Sequence, residues 1–466
     1  MDLIELSALE QIASVSAKDK VLVHNVSGDK VGWTIVGNIS GSGWCGRRWA
    51  LDASSPTGQA VGNINKLAEL PDLLGLGGYL VQNNHSRRKL SPNNHYQFLG
   101  GGTAALDGTM GHYQWGWGTP FYYAFWVEGG YLYEAIDLVP IKGRYNYRIP
   151  VASRSASGFA TIDRVNGNLV SYCNTSAQYR GGNNDSSKDS AFNTQLGVPA
   201  SIMTANAFET AARLNGDRWC ATFHGMEYIT GALVRIIMGT RNVQASVVAA
   251  LDSNGLHQGG LGTGVSRPTN WDTTWEYYPF LQMSAGAEVG DAVGTIAHTI
   301  TGELGSESKT LSCFFGLKNW YHYLYNMCPS FVGEDKANNT MDFYATTVLN
   351  TVAFNNTTKD GKTKVCSSPA CGGGWGYAKK INMDYLLGVA TEIGGTESTY
   401  FCDGFYKDIQ TSGLRLALLG GHADGGGQCG LSYLLASSAV SYSHAFYGSS
   451  LCEAAEDWNT APFLAV

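Results

Sequence analysis

Glycine sets the limit on what this chain can build. It fills 59 of 466 positions and comes in runs such as Gly100-Gly101-Gly102, Gly259-Gly260 and Gly425-Gly426-Gly427. An average protein carries about 7% glycine. Each one costs roughly 0.5–1 kcal/mol of backbone entropy inside a helix or strand. Few helices and many loops on a strand scaffold are therefore expected. The glycines follow no three-residue period, which excludes collagen. No sustained heptad and no repeat of 20–50 residues is present, which argues against a coiled coil or solenoid. Aromatic residues make up 12% and charged residues only 15%, against roughly 25% charged in ordinary proteins. That balance excludes disorder. The length exceeds what one core usually supports, so two or three domains are expected.

The net charge is −7. A chain whose main task is gripping nucleic-acid phosphates needs clustered Lys and Arg. The one basic knot, Arg87-Arg88-Lys89, reads as a solvated turn. The opening MDLIELSALEQIAS has acids where a signal peptide has bases, and no apolar core. No stretch reaches the ~18 apolar residues of a membrane span. The expectation is synthesis in a cytoplasm with no membrane insertion. The ten cysteines are diluted over the chain and read as small buried apolar residues.

Along the chain, residues 3–13 have helical spacing. Residues 21–26 and 31–36 alternate like strands about a Ser27-Gly28-Asp29 turn. Together they suggest a small β-rich module, with a boundary near residue 102 after the polar loop 82–94 and the glycine run. Residues 112–139, HYQWGWGTPFYYAFWVEGGYLYEAIDLV, are dense in rings and split at Glu128-Gly129-Gly130, which reads as a hairpin. One helix is expected from Asn206, whose Asn-x-x-Glu arrangement looks like a cap, to about 214. A second is expected over 225–239. Beyond 254 the pattern reads as loop and short strand, giving an α+β domain with a large irregular surface.

Sites for chemistry are weak. Cys366 and Cys371 are half of a zinc site, and a turn around Pro369 explains them as well. Asn183, Asn184, Asp185 and Asp189 have oxygens for calcium but no EF-hand spacing. The glycine run 259–264 lacks a Gly-Lys-Ser/Thr ending and is expected to be a tight turn with positive φ. There is no Gly-x-Ser-x-Gly elbow and no marked carboxylate pair. No metal or cofactor is expected. The informative segment is the C-terminus. A buried strand, Leu414–Leu419, leads into GGHADGGGQCG and then SSAVSYSHAFYG. Tyr and His give rigid contact area with a polar tip, and Ser and Gly adapt around them. A recognition surface uses that mixture.

Residues 399–451, TYFCDGFYKDIQTSGLRLALLGGHADGGGQCGLSYLLASSAVSYSHAFYGSSL, resemble the C-terminal end of phage C-type-lectin-fold receptor-binding proteins. These include the variable proteins of diversity-generating retroelements (the major tropism determinant type) and tail proteins of gut Bacteroidales and crAss-like phages. FYYAFWVEGGYLY (121–133) and residues 234–265 are similar to further parts of that pattern. The resemblance implies a C-type-lectin-like domain over 103–466, with two helices, short strands and long loops. A β-rich virion-attachment module would span 1–102. It implies a homotrimer on the virion that binds a host-surface glycan or protein, without calcium, and that contacts other virion proteins through the N-terminal module. Carried over residue by residue, the binding positions are His422, Asp424, Gln428, Ser432, Tyr433, Tyr442, His444, Phe446 and Tyr447. Tyr433, Tyr442, Phe446 and Tyr447 are expected to stack on the ligand. His422, Asp424, Gln428 and His444 are expected to hydrogen-bond it.

The leading expectation is thus a phage tail-fibre or tip adhesin with no catalytic role. One alternative is a structural virion protein, a head-decoration fibre or tail component. Another is an enzyme of the formylglycine-generating or glycan-acting type, although no active-site cysteine arrangement of that kind is recognisable.

Overall fold

The aromatic hairpin forms where expected. Phe121–Glu128 and Tyr131–Asp137 pair antiparallel, with Glu128 opposite Tyr131. Gly129 and Gly130 make the turn at φ +57° and +81°, the left-handed pair a two-residue hairpin requires. This is a computed structural model, and it describes residues 20–25, 30–35, 43–189, 194–253, 255–261, 279–302, 305–336, 340–368, 375–407, 412–423 and 425–466. The expected helix at 3–13 and the Ser27-Gly28-Asp29 turn lie outside them. The two strands flanking that turn do pair, as Lys20–Asn25 with Lys30–Ile35.

Around the hairpin a six-stranded sheet runs in the order Phe463–Leu464, Tyr145–Ile149, Phe121–Glu128, Tyr131–Asp137, Cys45–Ala50, Gln59–Gly62. The preceding ring-rich strand, His112–Trp117, belongs elsewhere. It is buried at all six positions and lies inside a seven-stranded sheet between Ala152–Ser155 and Gly77–Val81. The boundary expected near residue 102 falls within these pairings, because strands on both sides of it share both sheets.

The C-terminal half differs most from expectation. The chain does not adopt an α+β C-type-lectin-like arrangement of two helices, short strands and long loops. The described residues are 39% strand and 14% helix, with five α-helices among them. A nine-stranded sheet occupies the region read as loop and short strand, and the expected strand Leu414–Leu419 is part of it. Its spine, Tyr325–Asp335, has eleven residues, and all but Glu334 are buried. Covering both faces erases the alternation that marks a half-buried strand. Pro329 disguises it further. It sits where the register against Leu414–Leu419 shifts between Met327 and Val332, the kind of ladder break that tolerates proline.

The expected helices occur as Ala205–Arg213 and His224–Met238. Thr204, not Asn206, caps the first, its hydroxyl accepting from the Ala207 amide at 3.2 Å. The Asn206 side chain instead accepts from the Asn356 amide. The second helix is buried from His224 to Ile236 on every face. Gly239 ends it at φ +72°. It packs against Cys45–Ala50 and Tyr131–Asp137 of the first sheet, Ala152–Ser155 of the second and Tyr325–Asp335 of the third. An all-round buried helix must neutralise its charges internally. Arg235 meets the Glu134 carboxylate through Nε at 3.0 Å and a terminal nitrogen at 2.9 Å. Glu227 takes Arg154 at 2.7 Å and the Asn326 amide group at 2.9 Å.

Removing one partner of such a pair leaves a buried, unpaired charge. Glu134→Ala is expected to lose about 3–5 kcal/mol of stability, read as a lower midpoint in urea denaturation. An unchanged midpoint would show that the pair is not holding the helix to the first sheet.

Candidate functional site

Tyr325 begins the spine strand of the third sheet, and the C-terminal rings gather on it. Tyr447–Gly448 lies parallel to Tyr325-Asn326, and the Tyr325 amide donates to the Phe446 carbonyl at 3.0 Å. That pins the end of the segment 437–447. Its middle is held because the amides of Ile202 and Tyr447 both donate to the His444 carbonyl, at 3.1 Å each. Tyr325 has ring centroids within 6 Å on several sides: His422 at 4.7 Å, Tyr447 at 5.6 Å, Tyr433 and Phe446 at 5.8 Å. Outward from these, His444 lies 4.0 Å from Phe446 and Tyr442 lies 5.7 Å from Tyr447.

The cluster is graded from inside to outside. Tyr433 and Tyr447 are buried, as is Ser432. The Tyr433 hydroxyl meets the Tyr325 hydroxyl at 2.9 Å, and that of Tyr447 meets Ser438 Oγ at 3.1 Å. His422, Gln428, His444 and Phe446 are half-buried. Tyr442 is 47% exposed. Asp424 lies outside the described residues. Of the nine expected site residues, then, six form one ring cluster. Tyr433 and Tyr447, expected to stack on a ligand, instead form its floor, because their rings are already covered by Tyr325 and each other's neighbours. Gln428 closes the short turn Gly426–Gln428, and Ser432 donates its amide to Asp403 at 2.7 Å.

Sequence reasoning missed Tyr325, Trp375 and Tyr406. Trp375 stands 5.6 Å from Tyr433 and 5.0 Å from Tyr406, and is 46% exposed. The rings thus run from solvent at Trp375, through the buried Tyr433, Tyr325 and Tyr447, to solvent at Tyr442. The one available signal was the alternation of Trp375 and Tyr377 after the glycine run, a strand pattern that the glycines obscured.

Burial governs the electrostatics. It pushes the Tyr433 and Tyr447 hydroxyls up, so both stay protonated and able to donate. It lowers His444 below the usual imidazole value, so that ring is neutral at pH 7. The arrangement can bind by ring contact and hydrogen bonds. Beneath it, burial raises the Asp403 carboxyl to about 8, against the opposing effect of the Ser432 amide.

The weaker sequence candidates resolve into structure. Asp189 pairs with Arg180 and accepts from the Gln195 amide, and Asp185 caps its own turn. Cys371 and glycines 262–264 lie outside the described residues. Cys366 is an unbridged thiol pushed up to about 12 by burial. No cluster of metal-binding side chains occurs among the described residues. Gly259 and Gly260 do not have positive φ. They are glycines because a Cβ would strike the Gln244 carbonyl and the His322 ring. A His95–Asp291 contact at 2.8 Å looks like a catalytic dyad, but the other ring nitrogen meets the Tyr113 hydroxyl at 2.6 Å and Lys318 closes the network onto backbone carbonyls. Against known proteins, the chain matches no family model and no curated sequence.

Asp403 gives a pH prediction. Its folded pKa is raised from 3.8 to about 8, so the folded state holds a proton that the unfolded state releases. Stability contributed by that proton is complete at low pH and is lost as pH rises, at roughly 1.4 kcal/mol per unit between the two pKa values. Asp403→Asn should flatten that decline between pH 5 and about 8 in denaturation midpoints. A slope equal to that of the parent chain would contradict the assignment.

Proposed function

We propose that this chain is a bacteriophage virion protein that binds a host-surface glycan or protein through the ring cluster ending at Tyr442. The observation that carries the reading is the graded cluster itself. Exposed rings at Tyr442 and Trp375, half-buried ones at His444, Phe446 and His422, and a hydrogen-bonded floor of Tyr325, Tyr433 and Tyr447 make a contact surface whose geometry is fixed before a ligand arrives. Fixing the rings in advance lowers the entropy cost of binding. Aromatic anchors with a polar tip are the residues that dominate such surfaces.

The reading does not need a lectin-like frame, and the sheets supply the rigidity. Contacts with other virion proteins are assigned to the N-terminal residues 1–102. A trimer on the particle would join weak single sites by avidity. Mechanistically this is recognition, with no bond made or broken.

Binding of the labelled protein to a panel of gut Bacteroidales strains tests the proposal. Tyr442→Ala and Trp375→Ala are each expected to weaken binding about tenfold, with denaturation midpoints within about 0.5 kcal/mol of the parent. Binding unchanged by either substitution would remove this face as the contact surface. Normal binding in both variants, with failed particle assembly, would favour a structural virion role.

A further inference from the structure

Away from the ring cluster, folding leaves one cation with an accessible and unpaired end. Arg241 follows the Gly239 stop of the central helix, and only 8% of it is exposed. Its guanidinium lies between two rings, 4.5 Å from the Trp49 centroid and 4.3 Å from that of Phe401. Rings on both faces leave only in-plane directions for its N–H groups. Nε is buried and is closed to any ligand. The two terminal nitrogens differ from it. Neither is buried, and neither holds a hydrogen bond. They are the end of the side chain that solvent reaches. No carboxylate pairs with Arg241 among the described residues. Glu134 is taken by Arg235, and Glu392 by Lys379 and Lys380. Burial lowers the Arg241 pKa to about 10, which leaves it charged at pH 7.

This cation lines a cleft of about 370 Å³ between the first sheet and residues 379–401, within the ~300–1,000 Å³ range of small-molecule sites. The walls are apolar. Phe125, Trp126 and Leu132 belong to the first sheet, and Met383 comes from the other side. Leu51 and Val127 also line the cleft and stay 43% and 61% exposed. Apolar surface is thus left in water at this one place. The other charged lining groups are Lys379, Lys380 and Asp384. The two lysines share the single carboxylate of Glu392, so together with Asp384 the rim is neutral. Arg241 therefore gives the cleft an excess of one positive charge.

We propose that this cleft binds a small carboxylic acid with an apolar ring body, its carboxylate meeting the two terminal nitrogens of Arg241 edge-on. Each half of the ligand is selected by a different feature. A guanidinium with both faces and Nε covered offers one forward-facing pair of donors, and a planar two-oxygen group matches that fork. The excess positive charge draws an anion. The walls offer ring contacts to an apolar body and few partners to a polyhydroxylated one. The cleft shares no lining residue with the Tyr442 cluster, so the inference stands apart from the reading of that face.

Calorimetric titration of the full chain with phenylacetate, 2-phenylethanol, acetate and phenyl phosphate tests it. Phenylacetate is expected to bind at least tenfold more tightly than each of the other three. Arg241→Met keeps an unbranched side chain between the two rings but removes the charge, and should bring phenylacetate down to the level of 2-phenylethanol. Ala53→Trp, at an exposed position on the cleft, fills the space and should weaken phenylacetate at least tenfold with an unchanged denaturation midpoint. If Arg241→Met does not fold, the parent chain and Ala53→Trp still decide. Equal binding of phenylacetate and 2-phenylethanol, or no binding of phenylacetate, would overturn the proposal. Acetate binding as tightly as phenylacetate would overturn it by removing the role of the walls. Tighter binding of phenyl phosphate would do so by making Arg241 a phosphate site. Unchanged binding in Ala53→Trp would place the ligand outside this cleft and overturn it as well.

Discussion

Everything in this structure hangs on a helix with no exposed side from His224 to Ile236. Three sheets use it as their common support. Such an element needs its charges cancelled where they stand, because a lone buried charge costs several kcal/mol. The Glu134–Arg235 and Arg154–Glu227 pairs do this, and each ties the helix to a different sheet. Asn326, next to the cluster's central Tyr325, donates to the same Glu227. The ring cluster is thereby fixed to the helix through one residue of chain. Tyr228 extends the same logic, its hydroxyl meeting that of Tyr123, which in turn donates to Glu134.

Much of the N-terminal half was readable from residues alone. Gly129-Gly130 between ring-rich runs fixes a hairpin by backbone sterics, and Gly239 after a helical stripe fixes a stop. Both are local effects, and local effects survive folding. What was not readable depends on burial from two sides. His112–Trp117 and Tyr325–Asp335 are covered on both faces, so neither shows a period-2 signal. With the spine strand unrecognised, Leu414–Leu419 stood alone as an expected buried strand of the C-terminal sheet, and a few helices on short strands became the default.

The site was legible in part for the same reason. Composition located the recognition segment, since interleaved Tyr, His, Ser and Gly at 437–448 has a physical meaning without coordinates. Composition does not say which ring faces inward. That depends on Tyr325, Trp375 and Tyr406, which come from other strands and carry no local link to the segment.

The central claim is that a fixed cluster offers its outer rings to a receptor and keeps its inner ones as support. Hydroxyl-radical footprinting of the full chain, free and bound to host-envelope preparations, tests it directly. The account predicts strong modification of Tyr442 and Trp375 in the free protein and marked protection on binding, with Tyr433 and Tyr447 unmodified throughout. Equal modification of Tyr442 and Trp375 in both states, with binding demonstrated, would contradict it.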